Sequence, residues 1–258
     1  MITEGGGRVL EINIADREIL GRPRDRGRPW GLFVKPEGFQ GWQGISATRR
    51  EALARAVSHG EHDVPVYLGS RVVTIDGHLL APTEDELGSL ADKLTGLLGV
   101  GRTVVNVHQH GRKRWARGRV SLAVAEEIGK VRARLYQGSF QLQVTFADPR
   151  RYGETRELPS RGLPVPVANR GNFPAFPEVV VLDAPASYAI TSPGGTFTVS
   201  GATAGGTHVV NLRNGRVTRN GVEMFDVGRG SLWAVPPGPA WEHVITAPGL
   251  VRITDTYV

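Results

Sequence analysis

The chain has 258 residues, a hydrophobic fraction of 40% and no cysteine. It is long enough to bury one or two cores. Disulfide frameworks, cysteine-zinc sites and thiol catalysis are excluded, and no apolar run reaches the roughly 18 residues of a membrane helix. The net charge of +6 is uneven: residues 1–160 hold 24 Lys+Arg against 19 Asp+Glu, and residues 161–258 hold 7 against 6.

Residues 1–7 have no basic stretch followed by an apolar core, so no secretory signal is expected. Only Lys35, Lys93, Lys113 and Lys130 are lysines, an arginine bias that fits a GC-rich genome better than a need for bidentate recognition. A first strand is predicted over residues 9–14, followed by an arginine-rich loop, Arg22 to Arg28, with proline and glycine and no apolar period. Residues 30–34 read as a second strand. Residues 48–57 support two readings. Thr48 and Glu51 are spaced as a capping box for a short helix, and the same residues suit one arm of a long hairpin turning at residues 58–63. Strands are predicted at 64–68 and 71–77.

A helix is predicted from Thr83. Thr83-Glu84-Asp85-Glu86 is a capping-box sequence with three acids at the positive dipole end. Leu87, Leu90, Ala91, Leu94, Leu97 and Leu98 keep one face, and Gly99 and Gly101 supply the stop. Strands follow at 104–107, at 115–124 after a turn near His110-Gly111, and at 130–136. Residues 139–146 alternate strictly, with Phe140, Leu142, Val144 and Phe146 on one face of a sheet. Asp148-Pro149 then ends the strand. After Leu158-Pro159 charges thin out and Gly, Pro, Thr and Val take over. Short strands at 178–183, 188–191, 196–200, 208–212, 216–218, 231–235, 241–245 and 250–254, with Asn-Gly and Gly-Gly turns between them, suggest a β-sandwich. The fold expected is mainly β: a barrel or sheet with one packed helix over residues 1–160, and a sandwich over 161–258.

The search for chemistry finds no catalytic residue, metal site or cofactor site to nominate. His108 and His110, two apart, share a strand face but lack a third ligand, and His59, His62 and Asp63 read better as a polar hairpin tip than as a metal cluster. Gly99-Val100-Gly101 lacks the spacing and the following helix of a phosphate loop, and no Gly-x-Ser-x-Gly elbow occurs. The strongest basic segment runs from Arg112 to Arg119 around Trp115. Alternate residues of a hairpin face opposite ways, so its charges divide. The plainer reading is a solvated hairpin, with Arg112, Arg114 and Trp115 as candidates for contact with a partner's acidic surface in the functional variant, rather than with nucleic acid. Trp233 and Trp241 are candidates for glycan contact, against the plainer reading of core tryptophans.

The order of these signals resembles the distal tail proteins of siphophages and related prophage tails. The resemblance is carried by the 71–77 strand, the capped 83–98 helix, the paired strands after it and the closing Phe146-Ala147-Asp148-Pro149-Arg150-Arg151-Tyr152. Beyond these it rests on Asn169-Arg170-Gly171-Asn172, on residues 211–219 with Asn220-Gly221, and on Pro236-Pro237-Gly238. It implies a first domain like the barrel-plus-helix of tail tube proteins and a second that is galectin-like. It implies six copies in a ring at the distal end of a non-contractile tail. The ring's partners would be the tail tube protein above and tail-associated and receptor-binding proteins at the tip, with no membrane anchor. Residues 41–68 would be a belt reaching the neighbouring copy, which favours the hairpin reading of 48–57. A closed ring also suits edge strands and hairpins that pair across copies. The competing reading is a carbohydrate-binding adhesion module; a third is a nucleic-acid binder using residues 112–119.

Overall fold

The computed structural model describes residues 10–22, 29–131, 135–160 and 163–258. Val9 and residues 23–28 of the arginine-rich loop lie outside the described residues, as do residues 132–134 of the strand expected at 130–136. The chain forms two compact units, residues 1–151 and 152–257.

The first unit is built on β1 (Leu10–Ile14), β2 (Arg17–Leu20), β3 (Gly31–Gln40), β4 (Thr48–Arg49), β5 (Tyr67–Leu68), β6 (Arg71–Ala81), α1 (Glu84–Thr95), β7 (Arg102–Gln109), β8 (Arg112–Val131) and β9 (Leu135–Phe146). The order β7-β1-β2-β3-β6-β9 is closed by β8, which pairs with both β7 and β9, so the strands form a complete circuit. All neighbours are antiparallel except β2 and β3. Alternation sorts each strand into two faces. Val73, Ile75 and Leu79 of β6 and Phe140, Leu142, Val144 and Phe146 of β9 fill the interior with Ile12, Ile14 and Ile19.

The helix starts where its sequence predicts. Thr83 is extended, at φ −131° and ψ 161°, and its hydroxyl accepts a bond from the Glu86 N–H at 3.3 Å. Leu87, Ala91 and Leu94 are buried against β6, β8 and β9, and Leu97 follows them into the core. Each such leucine contributes roughly 2 kcal/mol by burial. Two details differ from the sequence reading. The α-helix gives way at Gly96 to a 3₁₀ turn ending at Gly99, and that tightening rotates Leu98 out to solvent.

Residues 48–57 contain no helix. β4 pairs with β5, and Ala54 bridges Glu61 further out, so the segment is a hairpin arm. A helix there would need a surface on which to bury Leu53 and Val57, and both are exposed.

The second unit is a sandwich. Its strands are β10 (Arg151–Ser160), β11 (Val165–Val167), β12 (Glu178–Val181), β13 (Tyr188–Ser192), β14 (Gly195–Val199), β15 (His208–Asn211), β16 (Arg216–Arg219), β17 (Val222–Met224), β18 (Gly228–Gly230), β19 (Trp241–Ile245) and β20 (Gly249–Tyr257). One sheet has the order β17-β16-β15-β12-β20-β10 and the other β11-β19-β13-β14-β18. Val179, Val181, Ile190, Phe197, Val210, Val251 and Ile253 fill the space between them. The strand expected at 231–235 is displaced: the ladder partner of β14 is β18, and Val235 makes only a single bridge to Ala175. The Asn169–Asn172 loop is closed from within. Asn169 is buried and donates to the Phe173 and Val235 carbonyls while accepting from the Gly171 N–H. A Cβ on Gly171 would overlap the Thr256 backbone, so glycine is required there.

Candidate functional site

The arm leaves the barrel between β3 and β6, and its root is a buried polar network. Arg71 opens β6 with its side chain on the inward face, in register with Val73 and Ile75, and is only 2% exposed. Among the described residues no carboxylate pairs with it. It donates instead to main-chain carbonyls: Pro149 at 2.9 Å, Gly41 at 2.8 Å, Trp42 at 3.1 Å, and Gly44. Burial lowers its pKa from the usual arginine value. One guanidinium thus ties the turn after β9 to the residues where the arm begins. Gly41, at φ +82°, lies so close to the Val72 carbonyl that a Cβ would overlap it.

The Asp148-Pro149-Arg150-Arg151 motif completes this root. Asp148 holds Arg150 through a bidentate pair at 2.7 and 2.9 Å. Arg151 is buried, sits 6.0 Å from the centre of the Trp42 ring and donates to Gln43 Oε1 at 3.0 Å. Burial, together with the charges of Arg71 and Arg114, pushes its pKa down to about 10, which leaves it cationic at neutral pH. Trp42 in turn packs edge-on against Phe146 at 5.9 Å. The motif that closes the barrel strand is therefore also the seat of the arm.

Beyond the root the arm carries apolar side chains with no surface of their own unit to cover. Val57 is 98% exposed and Leu53 72%, and Ile45, Val66 and Tyr67 are exposed as well. The hairpin is held by its backbone, with Gly69 N–H donating to Ala47 O and His62 N–H to Leu53 O, and by Arg50 paired to Glu61. His59, His62 and Asp63 are exposed at its tip. Among the described residues no group of three or more His, Asp or Glu is placed to hold a metal ion.

The residues singled out at the β7–β8 turn divide as alternation requires. Arg112 and Arg114 line a cavity of about 60 Å³ with Trp42, Gln43, Gln109 and His110. Trp115 stands opposite Asn106 on the alternate face. His108 and His110 do not share a strand face: β7 ends at Gln109, and His110, at φ 54°, turns the chain with Gly111.

The two tryptophans of the sandwich are not brought together as an open platform. Trp233 is 4% exposed, and its indole N–H donates to His243 Nε2 at 3.0 Å. His243 is fully buried and donates from Nδ1 to the Trp241 carbonyl at 3.1 Å, so it is held as the neutral Nδ1–H tautomer. Trp241 is half-buried at the edge of the same core. Arg71 is the residue that inspection of motifs missed. Its signal was the period-two pattern, which placed an arginine in line with residues that all face inward.

No family model matches the chain, and no curated protein sequence is similar enough to match. Solved structures do match in fold. The crystal structure of the SPP1 Dit (gp 19.1) protein, described as a paradigm of the hub adsorption apparatus in phages infecting Gram-positive bacteria, aligns at a TM-score of 0.71. The identity is 16%, covering 97% of this chain and 100% of that one. A chain of the phage P2 baseplate in its activated conformation aligns at 0.51 with calcium and 0.52 with strontium. Both are 8% identical and cover 97% of this chain and 98% of theirs. The chain therefore has the fold of a phage distal tail hub protein over 97% of its length.

Proposed function

We propose that this chain is a structural component of a phage virion: the distal tail protein of a non-contractile tail. In this reading six copies form a ring that joins the tail tube to the host-recognition tip, and the barrel unit makes the ring. The sandwich then faces outward to tail-associated and receptor-binding proteins. The role is mechanical and needs no reaction.

The observation that carries the reading is the correspondence in fold with SPP1 Dit over 97% of this chain and 100% of that one. The arm adds physical support. A projecting hairpin with Leu53 and Val57 exposed is expensive in a lone molecule, and covering those side chains recovers about 25 cal/mol per Å² of apolar area. A second copy is the natural cover in a closed heterologous ring. The burial of Trp233 removes one of the two side chains on which the glycan-binding alternative rests.

The test is to raise antibodies to the sandwich and image labelled, purified tails by electron microscopy. Label confined to the end opposite the head, with ring-shaped averages at that end, is the expected outcome. Virions that lack the protein, or carry it along the tube, refute the proposal.

A further inference from the structure

The small cavity at the arm root has walls from two places in the chain. Trp42 and Gln43 come from the first residues of the arm, and Gln109, His110, Arg112 and Arg114 from the β7–β8 turn. Alternation puts these side chains together. Gln109 keeps the parity of Val105 and Val107 on β7, and Arg112 and Arg114 keep that of Ala116 on β8, so they continue the interior face beyond the packed core.

The hydrogen bonds around the cavity run in one direction. Arginine can only donate, and Arg151 donates to Gln43 Oε1 at 3.0 Å, which fixes the Gln43 amide. Gln43 Nε2 then donates to Gln109 Oε1 at 2.8 Å, which leaves Gln109 its NH2 group for the cavity. With the guanidinium groups of Arg112 and Arg114 beside it, the wall is rich in donors, and no carboxylate lines it among the described residues. Arg151 lies one hydrogen bond behind, only 2% exposed, with the charges of Arg71 and Arg114 acting on it. Arg151 Nε and Arg71 Nη2 are buried with no hydrogen-bond partner, and neither Arg112 nor Arg151 has an ion pair among the described residues. A recess walled by one sign of charge concentrates the opposite ion.

We infer that this cavity binds one free phosphate-like dianion, which clamps the root of the arm to the β7–β8 turn. One water takes about 10–15 Å³ on the scale on which the cavity measures about 60 Å³, so the space suits a group of roughly four to six heavy atoms. A carboxylate brings one charge and two acceptor atoms. A phosphate brings more of both, and several guanidinium groups offer more donors than a carboxylate can take. A nucleic-acid phosphate carries a single charge and has to bring its strand into the same small space. The inference does not depend on the tail reading, and it makes the set of the arm responsive to a soluble ion.

Thermal unfolding of the full-length protein is followed at about pH 8, where inorganic phosphate is mainly the dianion, at constant ionic strength. A site with Kd on the order of 1 mM should raise the melting temperature of the barrel unit by about 3 °C in about 10 mM phosphate, relative to chloride. Phosphate is also expected to slow proteolysis within residues 41–68 about fivefold. Arg112→Gln/Arg114→Gln should lose both responses and keep only the general stabilisation that phosphate gives any protein. Arg112→Gln alone, at an exposed position, guards against a double variant that fails to fold and should weaken both responses. Broadening of the phosphorus resonance of phosphate reads binding without unfolding and should saturate with the unsubstituted protein. Responses equal in the unsubstituted protein and in Arg112→Gln overturn the inference, and so does an unbroadened resonance. Acetate as effective as phosphate overturns the dianion in favour of a carboxylate. A short single-stranded DNA that protects the arm at equal phosphate concentration overturns the free ion in favour of nucleic acid.

Discussion

Arg71 shows how much one side chain can organise when its partners are backbone oxygens. Its guanidinium satisfies carbonyls from Gly41, Trp42, Gly44 and Pro149, and replacing it by methionine removes every donor at once. Buried acceptors left unpaired cost about 1–3 kcal/mol each before relaxation. We expect Arg71→Met to lose about 3 kcal/mol in urea unfolding and to make residues 41–68 a preferred site of proteolysis. An unchanged unfolding midpoint would contradict the role assigned here. His243 gives a pH prediction with a definite sign. Burial holds its imidazole below the ordinary value of 6.5, while the carbonyl of Trp241 only partly offsets this. The unfolded chain therefore takes up a proton near 6.5 that the folded chain refuses. The histidine's share of stability is complete above that pH and declines as pH falls below it, by at most about 1.4 kcal/mol per unit. His243→Gln, whose amide oxygen can still accept from Trp233, should flatten the stability profile between pH 5 and 6.5 when unfolding is followed by tryptophan fluorescence. A slope unchanged by the substitution would assign the pH dependence elsewhere. Neither residue stood out as a motif. Arg71 was readable only through alternation, and the pairing of His243 with Trp233 joins positions that no local pattern connects.

At the scale of elements, legibility tracked how local each determinant is. The helix at Glu84–Thr95 was readable because its cap, its acids and its apolar stripe lie within one short window. Strands β6 and β9 were readable for the same reason, since period two is a neighbour-by-neighbour property. The 48–57 segment was ambiguous because Thr48 and Glu51 mimic a capping box. What decided it is tertiary: the return strand at Tyr67–Leu68 supplies a partner, and Leu53 and Val57 stay exposed where a helix would have to bury them. The misplaced strand at 231–235 has a similar origin, for its apolar residues enter the core from an irregular segment while the glycine-rich Gly228–Gly230 makes the ladder. The arm offers a direct experiment. Replacing residues 48–68 by a short Gly-Ser turn should change the barrel unit's melting temperature by no more than a few degrees, because the removed side chains are mostly exposed. The same deletion should abolish ring formation on tails. Rings that assemble normally without the arm would remove it from the assembly surface.

The whole molecule carries two separate cores, one for each compact unit. Two cores of this size are expected to melt as more than one transition, and the simplest two-state treatment should fail. Calorimetry should resolve two components, and acidification from pH 7 to 5.5 should lower the one that quenches with Trp233. A single transition whose calorimetric and van't Hoff enthalpies agree would rule this out. The change of composition near Leu158-Pro159 marks residue usage, whereas the division of contacts falls between Arg151 and Tyr152. The strand between them holds its charges by pairing Arg156 with Asp255 at 2.7 Å and Glu157 with Arg252 at 2.7 Å, so it reads as surface-rich in sequence while belonging to the sandwich. One property of the barrel bears on how such a protein waits for its partners. Because β8 joins β7 to β9, every strand of that circuit already has a neighbour on both sides. The circuit leaves fewer barrel amides for a stranger to extend than an open sheet would, although β8 beyond Arg119 is paired on the β9 side and not reached by β7. In the proposed ring, that partial closure would favour growth through matched surfaces and one slender hairpin over the runaway fibre that an open sheet invites.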